Sequence, residues 1–303
     1  MLTFLLLATG CRVETAAPTT PRIVVIDGFG RPVALALPAR RIVSVAPSNT
    51  ELLFAVGAGE RLIACDSFSD FPEAAKALPR VGTAGGRLDE ERIVAFGPDL
   101  VLGAEINSPE SMGSLAKLGL PVFRVSNPTT FDGLYENLAL FGRLTDRETA
   151  AAELVAQLKA RVEAVDVRLR DLDRRPLVFY ELDATDVTKP WTAGRGTFLD
   201  LLIQRAGGEN FGAAFDGSYP RVSAEQVLVR NPEFIVLGDA KLGMTAAQVA
   251  QRAGWSGLQA VTGGRVIPFD DNLASRPGPR LVDALEQFSR LFHPERWPAE
   301  AKR

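Results

Sequence analysis

The segment from Glu91 to Leu102 (ERIVAFGPDLVL) returns as Glu225 to Val236 (EQVLVRNPEFIV), displaced by 134 residues throughout (225 − 91 = 134; 232 − 98 = 134). Each copy reads as a short helix, a turn built on Pro and an acidic residue, and a buried strand. A repeat of this kind predicts two lobes of similar design.

Other apolar runs fit the same plan. Ile42 to Val45, Leu62 to Cys65, Leu100 to Leu102 and Val122 to Val125 are β-type and alternate with helical segments. That alternation implies parallel sheets with helices on their faces. Thr145 to Leu172 then runs about 28 residues without Gly or Pro, with Leu154, Leu158, Val162 and Val165 at near-helical spacing. It predicts one long helix, with Asp146 as N-cap and Arg174-Arg175-Pro176 as its end. Strands resume at Leu177 to Tyr180, Phe234 to Leu237 and Arg265 to Phe269. The fold class is therefore α/β, two Rossmann-like lobes on one backbone helix. The expected boundaries are a leader at 1–11, a tether and strand at 12–38, lobes at 39–144 and 175–303, and a linking helix at 145–174. Ligands in such a pair sit in the cleft beyond the strand ends.

The chain begins with a short apolar run, MLTFLLLATG, followed by Cys11. It is too short to span a bilayer, which takes roughly 20 apolar residues, and reads as a secretory leader. Ala8-Thr9-Gly10-Cys11 resembles the lipobox of bacterial lipoproteins, in which the Cys is acylated; Ala8 stands where Leu is usual. The polar, Pro-rich stretch Arg12 to Arg22 suits a tether. The expectation is an extracytoplasmic chain held to the membrane by lipid alone. With Cys11 acylated, Cys65 has no partner for a disulfide, since the sequence has two Cys.

A net charge of −3 argues against a nucleic-acid partner, which would need a basic field. Catalytic equipment is scarce. The one His, His293, reads as a surface residue, and a zinc site of His and Cys is nearly excluded. No phosphate-binding glycine loop follows a strand. Asp66 with Asp70, or Asp270 with Asp271, could serve a metal or acid–base role, but Asp also forms turns. No catalytic residue, bound metal or cofactor is expected, and an exported metal-dependent hydrolase is the distant alternative.

Several segments, in order, resemble the cobalamin- and siderophore-type solute-binding proteins of ABC importers. They are Arg41 to Phe54 (RIVSVAPSNTELLF), Ser67 to Pro72 (SFSDFP), Glu91 to Val94 with Pro98 to Val101, Gly207 to Asn210, Ser223 to Leu228 (SAEQVL) and Ser275 to Arg280 (SRPGPR). SFSDFP and SAEQVL look most like the cobalamin-binding branch. The resemblance implies a monomer with two lobes and a rigid linking helix, delivering its ligand to a permease dimer and its ATPase. In that family a glutamate on each lobe docks on permease arginines; by position these are Glu91 and Glu225. Both would also sit in a helix first turn, where a carboxylate gains about 0.3–1 kcal/mol. Ser223 with Gln226 fits a capping box, as does Ser48 with Glu51, and capping accounts for Glu51.

The resemblance also implies a cobalt corrinoid as ligand, with a ferric siderophore or other chelate as alternative. Phe68 stands at an aromatic pocket position, as do Trp191 and Tyr219. Ala84 and Ala104 fall where the best-known cobalamin binders have Trp. Arg276, in a loop braced by Pro and Gly, is the candidate cation for the ligand, unless a carboxylate engages it; Arg280 reads as structural. One continuous helix makes a poor hinge, so lobe motion should be small.

Overall fold

The computed structural model describes residues 22–297. It opens with an antiparallel hairpin, β1 (Arg22–Ile26) and β2 (Pro32–Ala36). The Gly28 N–H donates to the Arg124 carbonyl at 2.7 Å and docks the hairpin on the first lobe.

The first lobe runs β3 (Ile42–Ser44), α1 (Pro47–Ala55), β4 (Leu62–Cys65), α2 (Glu90–Phe96), β5 (Leu100–Gly103), α3 (Pro109–Lys117), β6 (Val122–Arg124) and α4 (Phe131–Leu144). After the linking helix α5 (Glu148–Arg168) come β7 (Leu177–Glu181), α6 (Phe198–Arg205), β8 (Glu209–Asn210), α7 (Ala224–Arg230), β9 (Phe234–Leu237), α8 (Ala246–Ala250), α9 (Gln259–Thr262), β10 (Val266–Pro268), α10 (Asp271–Ala274) and α11 (Leu281–Phe292). Both four-stranded sheets are parallel, ordered β4-β3-β5-β6 and β10-β9-β7-β8. In each, the strand that comes first in the chain lies between the second and the third.

The sequence repeat is the α2–β5 unit and its counterpart α7–β9. Asp89 and Ser223 cap the two helices by accepting from the backbone N–H three residues on. Both helices end on a left-handed residue, Gly97 at φ 55° and Asn231 at φ 48°, the conformation that closes a helix C-terminus. Ser223 and Gln226 form the full capping box.

Strand periodicity of two sorts side chains between layers. Leu100 and Leu102, like Phe234 and Val236, join one central core that continues through both lobes. Val101 faces a second cluster in the first lobe, and Ile235 and Leu237 a second cluster in the other. The central core is completed by Leu158, Val162 and Val165 of α5 and by Leu281, Leu285, Phe288 and Phe292 of α11.

The linking helix is shorter than its sequence predicts. Asp146 is not an N-cap: it takes φ 53° in a turn between α4 and α5, and α5 begins at Glu148 after Arg147, which makes no side-chain cap. The turn brings α4 and α5 together so closely that a Cβ on Gly142 would lie 2.7 Å from the Ala151 side chain. The helix ends at Arg168, well before Pro176. Its 21 residues span about 30 Å, and Arg161 ties it to α11 through Glu286 (2.9 Å) and Asp283 (2.6 Å).

His293 is buried, not on the surface; its Nε2 lies 3.1 Å from the Gly207 carbonyl. Cys65 is free and buried, and burial raises its thiol. Among the described residues no helix is long and apolar enough to cross a membrane. Cys11 and the proposed leader and tether up to Pro21 lie outside the described residues.

Candidate functional site

Loops leaving the C-terminal ends of the strands in both sheets converge on a pocket of about 300 Å³. The first lobe contributes Ser48 at the start of α1, Phe68 after β4, Ala104 and Ile106 after β5, and Asn127 after β6. The second lobe contributes Asn272 and Ser275 to Pro277 after β10. This is the crevice where open α/β sheets place ligands.

The Phe68 loop is braced from beneath. Asp66, fully buried, accepts from the Phe68 N–H (2.8 Å) and the Ser69 hydroxyl (2.5 Å), and Ser69 meets Thr50 at 2.8 Å. Burial raises the Asp66 carboxyl, while the Ser69 hydroxyl and Phe68 N–H act in the opposite direction. This scaffold leaves Phe68 52% exposed where it lines the pocket, an open apolar face for a planar ligand.

Arg276 is held by carboxylates of the opposite lobe. Its Nη1 donates to Glu51 at 3.1 Å and Asp70 at 2.6 Å, and its Nη2 donates to the Phe68 carbonyl at 3.1 Å. Arg280 donates twice to the same Glu51, at 2.8 and 2.5 Å, and stacks over Phe71 with 4.1 Å to the ring centroid. The capping assignment for Glu51 is therefore wrong. The N-cap of α1 is Ala46, with no side-chain cap, and Glu51 is a buried acceptor for two guanidinia. Arg280 is structural, as the sequence suggests. Arg276 lines the pocket, but its charge already has partners.

The structure brings Phe68 and Arg276 together and leaves Trp191 and Tyr219 outside this pocket. Trp191 is bridged to Asp183 and Arg221 in a β-type contact and is 41% exposed. Tyr219 is half-exposed; burial, then the Glu105 and Asp271 carboxylates, raise its phenol. Ala104 lines the pocket, whereas Ala84 is buried away from it. The acidic pairs have structural work: Asp270 caps α10 and meets Lys241 at 2.5 Å, and Asp271 accepts from the Tyr180 hydroxyl at 2.7 Å. Among the described residues no three His, Cys, Asp or Glu side chains group to hold a metal.

Sequence reading missed Ile106, Asn127 and Asn272 as pocket residues. The available signal was position, since each follows a strand end by a few residues. It also missed a buried acidic cluster in the second lobe. Arg252 pairs with Glu181 at 2.5 and 2.8 Å, and Asp239 beside them accepts from the Ala184 N–H at 3.1 Å through Oδ2. The other Asp239 oxygen is buried without a partner, and burial, then the Glu181 charge, push its carboxyl up to about 6.

Glu91 and Glu225 occupy matching first turns of α2 and α7, and both are exposed. The Ser223 hydroxyl lowers the Glu225 carboxyl.

Two parallel α/β lobes, a long linking helix and a ligand-sized crevice between them are the architecture of two-lobed solute-binding proteins. The chain belongs to the periplasmic binding protein family, whose sequence profile matches residues 42–273. It is an extracytoplasmic solute-binding protein of an ABC transporter. A vitamin B12-binding protein of Yersinia pestis is 32% identical over 260 residues, covering 84% of this chain and 88% of the relative. An uncharacterized ABC transporter substrate-binding lipoprotein of Bacillus subtilis is 27% identical over 279 residues, covering 90% and 86%. A solved periplasmic heme-binding protein from Roseiflexus sp. RS-1, in apo form, is 28% identical with a TM-score of 0.76, covering 85% and 99%.

Proposed function

We propose that this protein captures a cobalt corrinoid in the crevice between its lobes and hands it to the permease of an ABC importer. The observation that carries this reading is the pocket itself. It joins the exposed ring of Phe68 to neutral hydrogen-bonding side chains, in a chain 32% identical to a vitamin B12-binding protein. A corrin offers a broad apolar ring and peripheral amides, which suit those two kinds of surface. Trp191 and Tyr219, exposed and outside this pocket, are assigned as further aromatic contacts. Glu91 and Glu225 are assigned as the docking carboxylates, one per lobe. Exposed ion pairs contribute only about 0.2–1 kcal/mol each, so they orient the complex more than they hold it. Cys11 is assigned as the acylated anchor; a relative that carries the name lipoprotein supports this.

A ferric siderophore or another iron chelate is the second reading, favoured by the likeness to a solved heme-binding protein of the same fold. Equilibrium binding of cyanocobalamin, cobinamide and a ferric hydroxamate to the purified chain separates the two. Tight corrinoid binding without turnover supports the first; saturation by the ferric chelate alone refutes it.

A further inference from the structure

Of the residues that line the pocket, Arg276 alone carries a charge, and that charge is already balanced. Arg276 and Arg280 face Glu51 and Asp70, two positive groups against two negative, with the Arg276 and Glu51 side chains 11% and 2% exposed. Both Nη1 hydrogens of Arg276 and one on Nη2 are engaged, which leaves its Nε–H and one further N–H. An incoming carboxylate on those two donors would bring a third negative charge to a group whose two guanidinia are already matched by Glu51 and Asp70, so it gains little from the charge that makes such bonds strong. Nearby carboxylates oppose an anion further: Glu105 stands between the pocket residues Ala104 and Ile106 and accepts from the Asn127 N–H at 3.0 Å, and Asp271 precedes Asn272.

The neutral polar groups are in the opposite condition. Ser48, Asn127, Asn272 and Ser275 line the pocket, and none of the four side chains makes a hydrogen bond within the described residues. Ser48 is only 5% exposed. Amide and hydroxyl side chains both donate and accept, which matches a carboxamide, itself donor and acceptor. They match a carboxylate poorly, because it can only accept. Water can reach these groups in the open crevice, but one left unpaired beneath a bound ligand would cost about 1–3 kcal/mol, so the four favour a ligand able to satisfy them all.

We infer that this pocket selects ligands with an uncharged, amide-bearing periphery and rejects carboxylate-bearing analogues, because four open neutral side chains surround a guanidinium already latched to Glu51 and Asp70. The inference rests on the corrinoid reading for its first probe and survives or falls separately from it. In this account Arg276 positions the pocket wall and does not receive an anion.

The test compares two corrinoids of the same ring, dicyanocobinamide with its side-chain amides and dicyanocobyrinic acid with carboxylates in their place, titrated into the full chain at neutral pH. The expected result is at least 100-fold weaker binding of the polycarboxylate. Equal or tighter binding of the polycarboxylate overturns the inference while leaving the corrinoid reading intact. Asp70→Asn, which removes one of the two negative charges that balance Arg276 and Arg280, should narrow the ratio of the two Kd values at least tenfold; an unchanged ratio overturns the part assigned to Arg276. Failure of both corrinoids to bind sinks the corrinoid reading, and the charge rule is then judged on a neutral ferric trihydroxamate against a triply anionic ferric tricatecholate. Preference for the anion, or binding of none of the four, overturns it.

Discussion

Glu51 and Arg280 meet across the two lobes in a two-toothed ion pair, Nε to Oε2 at 2.8 Å and Nη2 to Oε1 at 2.5 Å, with the carboxylate 2% exposed. The residues stand 229 positions apart in sequence. Arg276 completes the group from the same side. With α5 on one flank and this cluster at the crevice, the lobes are fastened twice, which fits the small lobe motion that a continuous helix implies.

Glu51→Ala should therefore cost more than an ordinary surface charge. Removing one partner of a buried ion pair destabilises by about 3–5 kcal/mol, because the remaining charges stay buried. Urea denaturation should report a loss of that size. A loss below about 1 kcal/mol would show that the pair is effectively solvated.

Phe68→Ala should weaken ligand binding without unfolding the chain, since about half of the residue is exposed. Burying a whole Phe is worth about 1.5–3 kcal/mol, so covering the open half predicts an affinity loss of about tenfold. Calorimetric titration with the corrinoid measures it. Unchanged affinity would remove Phe68 from the site.

Charge reversal at both Glu91 and Glu225 should abolish uptake into cells or proteoliposomes carrying the cognate importer and leave the ligand Kd unaltered. Transport that persists in the double variant contradicts the docking assignment. A single reversal should lower transport only in part, because the second lobe still docks.

Asp239 gives a pH prediction. Its folded-state carboxyl stands at about 6 against an ordinary 3.8, raised first by burial and then by Glu181. The folded chain thus binds this proton more tightly than the unfolded chain. The group's contribution is fully present below about pH 4 and is lost as pH rises through 6. At roughly 1.4 kcal/mol per unit, the loss reaches on the order of 2–3 kcal/mol at pH 8. Asp239→Asn keeps an acceptor for the Ala184 N–H and should raise stability by about 1–3 kcal/mol at pH 8, with the gain vanishing near pH 4. A destabilised variant at pH 8 would show that the charged form is the one the fold favours.

Much of the fold was legible because it is written twice. The offset between Glu91 and Glu225 carries through α2 and α7, their left-handed caps and the strands β5 and β9, and local periodicity suffices to find such units. The helix boundaries were not legible. Asp146 looks like a cap on propensity, but it sits at φ 53° in a turn where Gly142 packs closely on Ala151, and that contact exists only once α4 packs on α5. The site divides in the same way. Phe68 is placed by the family resemblance and Arg276 by its braced loop, and both line the pocket, yet the partners of Arg276 lie more than 200 residues away. No local pattern records that pairing. Glu51 was misread for this reason: Ser48 and Glu51 have capping-box spacing, but two arginines from the other lobe claim the carboxylate. His293 likewise reads as exposed by type and is buried against the Gly207 carbonyl.

The central claim is that a corrinoid sits between these lobes. A crystal structure of the chain grown with cyanocobalamin tests it most directly. The account predicts the corrin ring in the crevice against Phe68, amide groups within hydrogen-bond distance of Asn127 and Asn272, and Arg276 still joined to Glu51. A crevice without the ring, or a ring bound elsewhere on the surface, would contradict it.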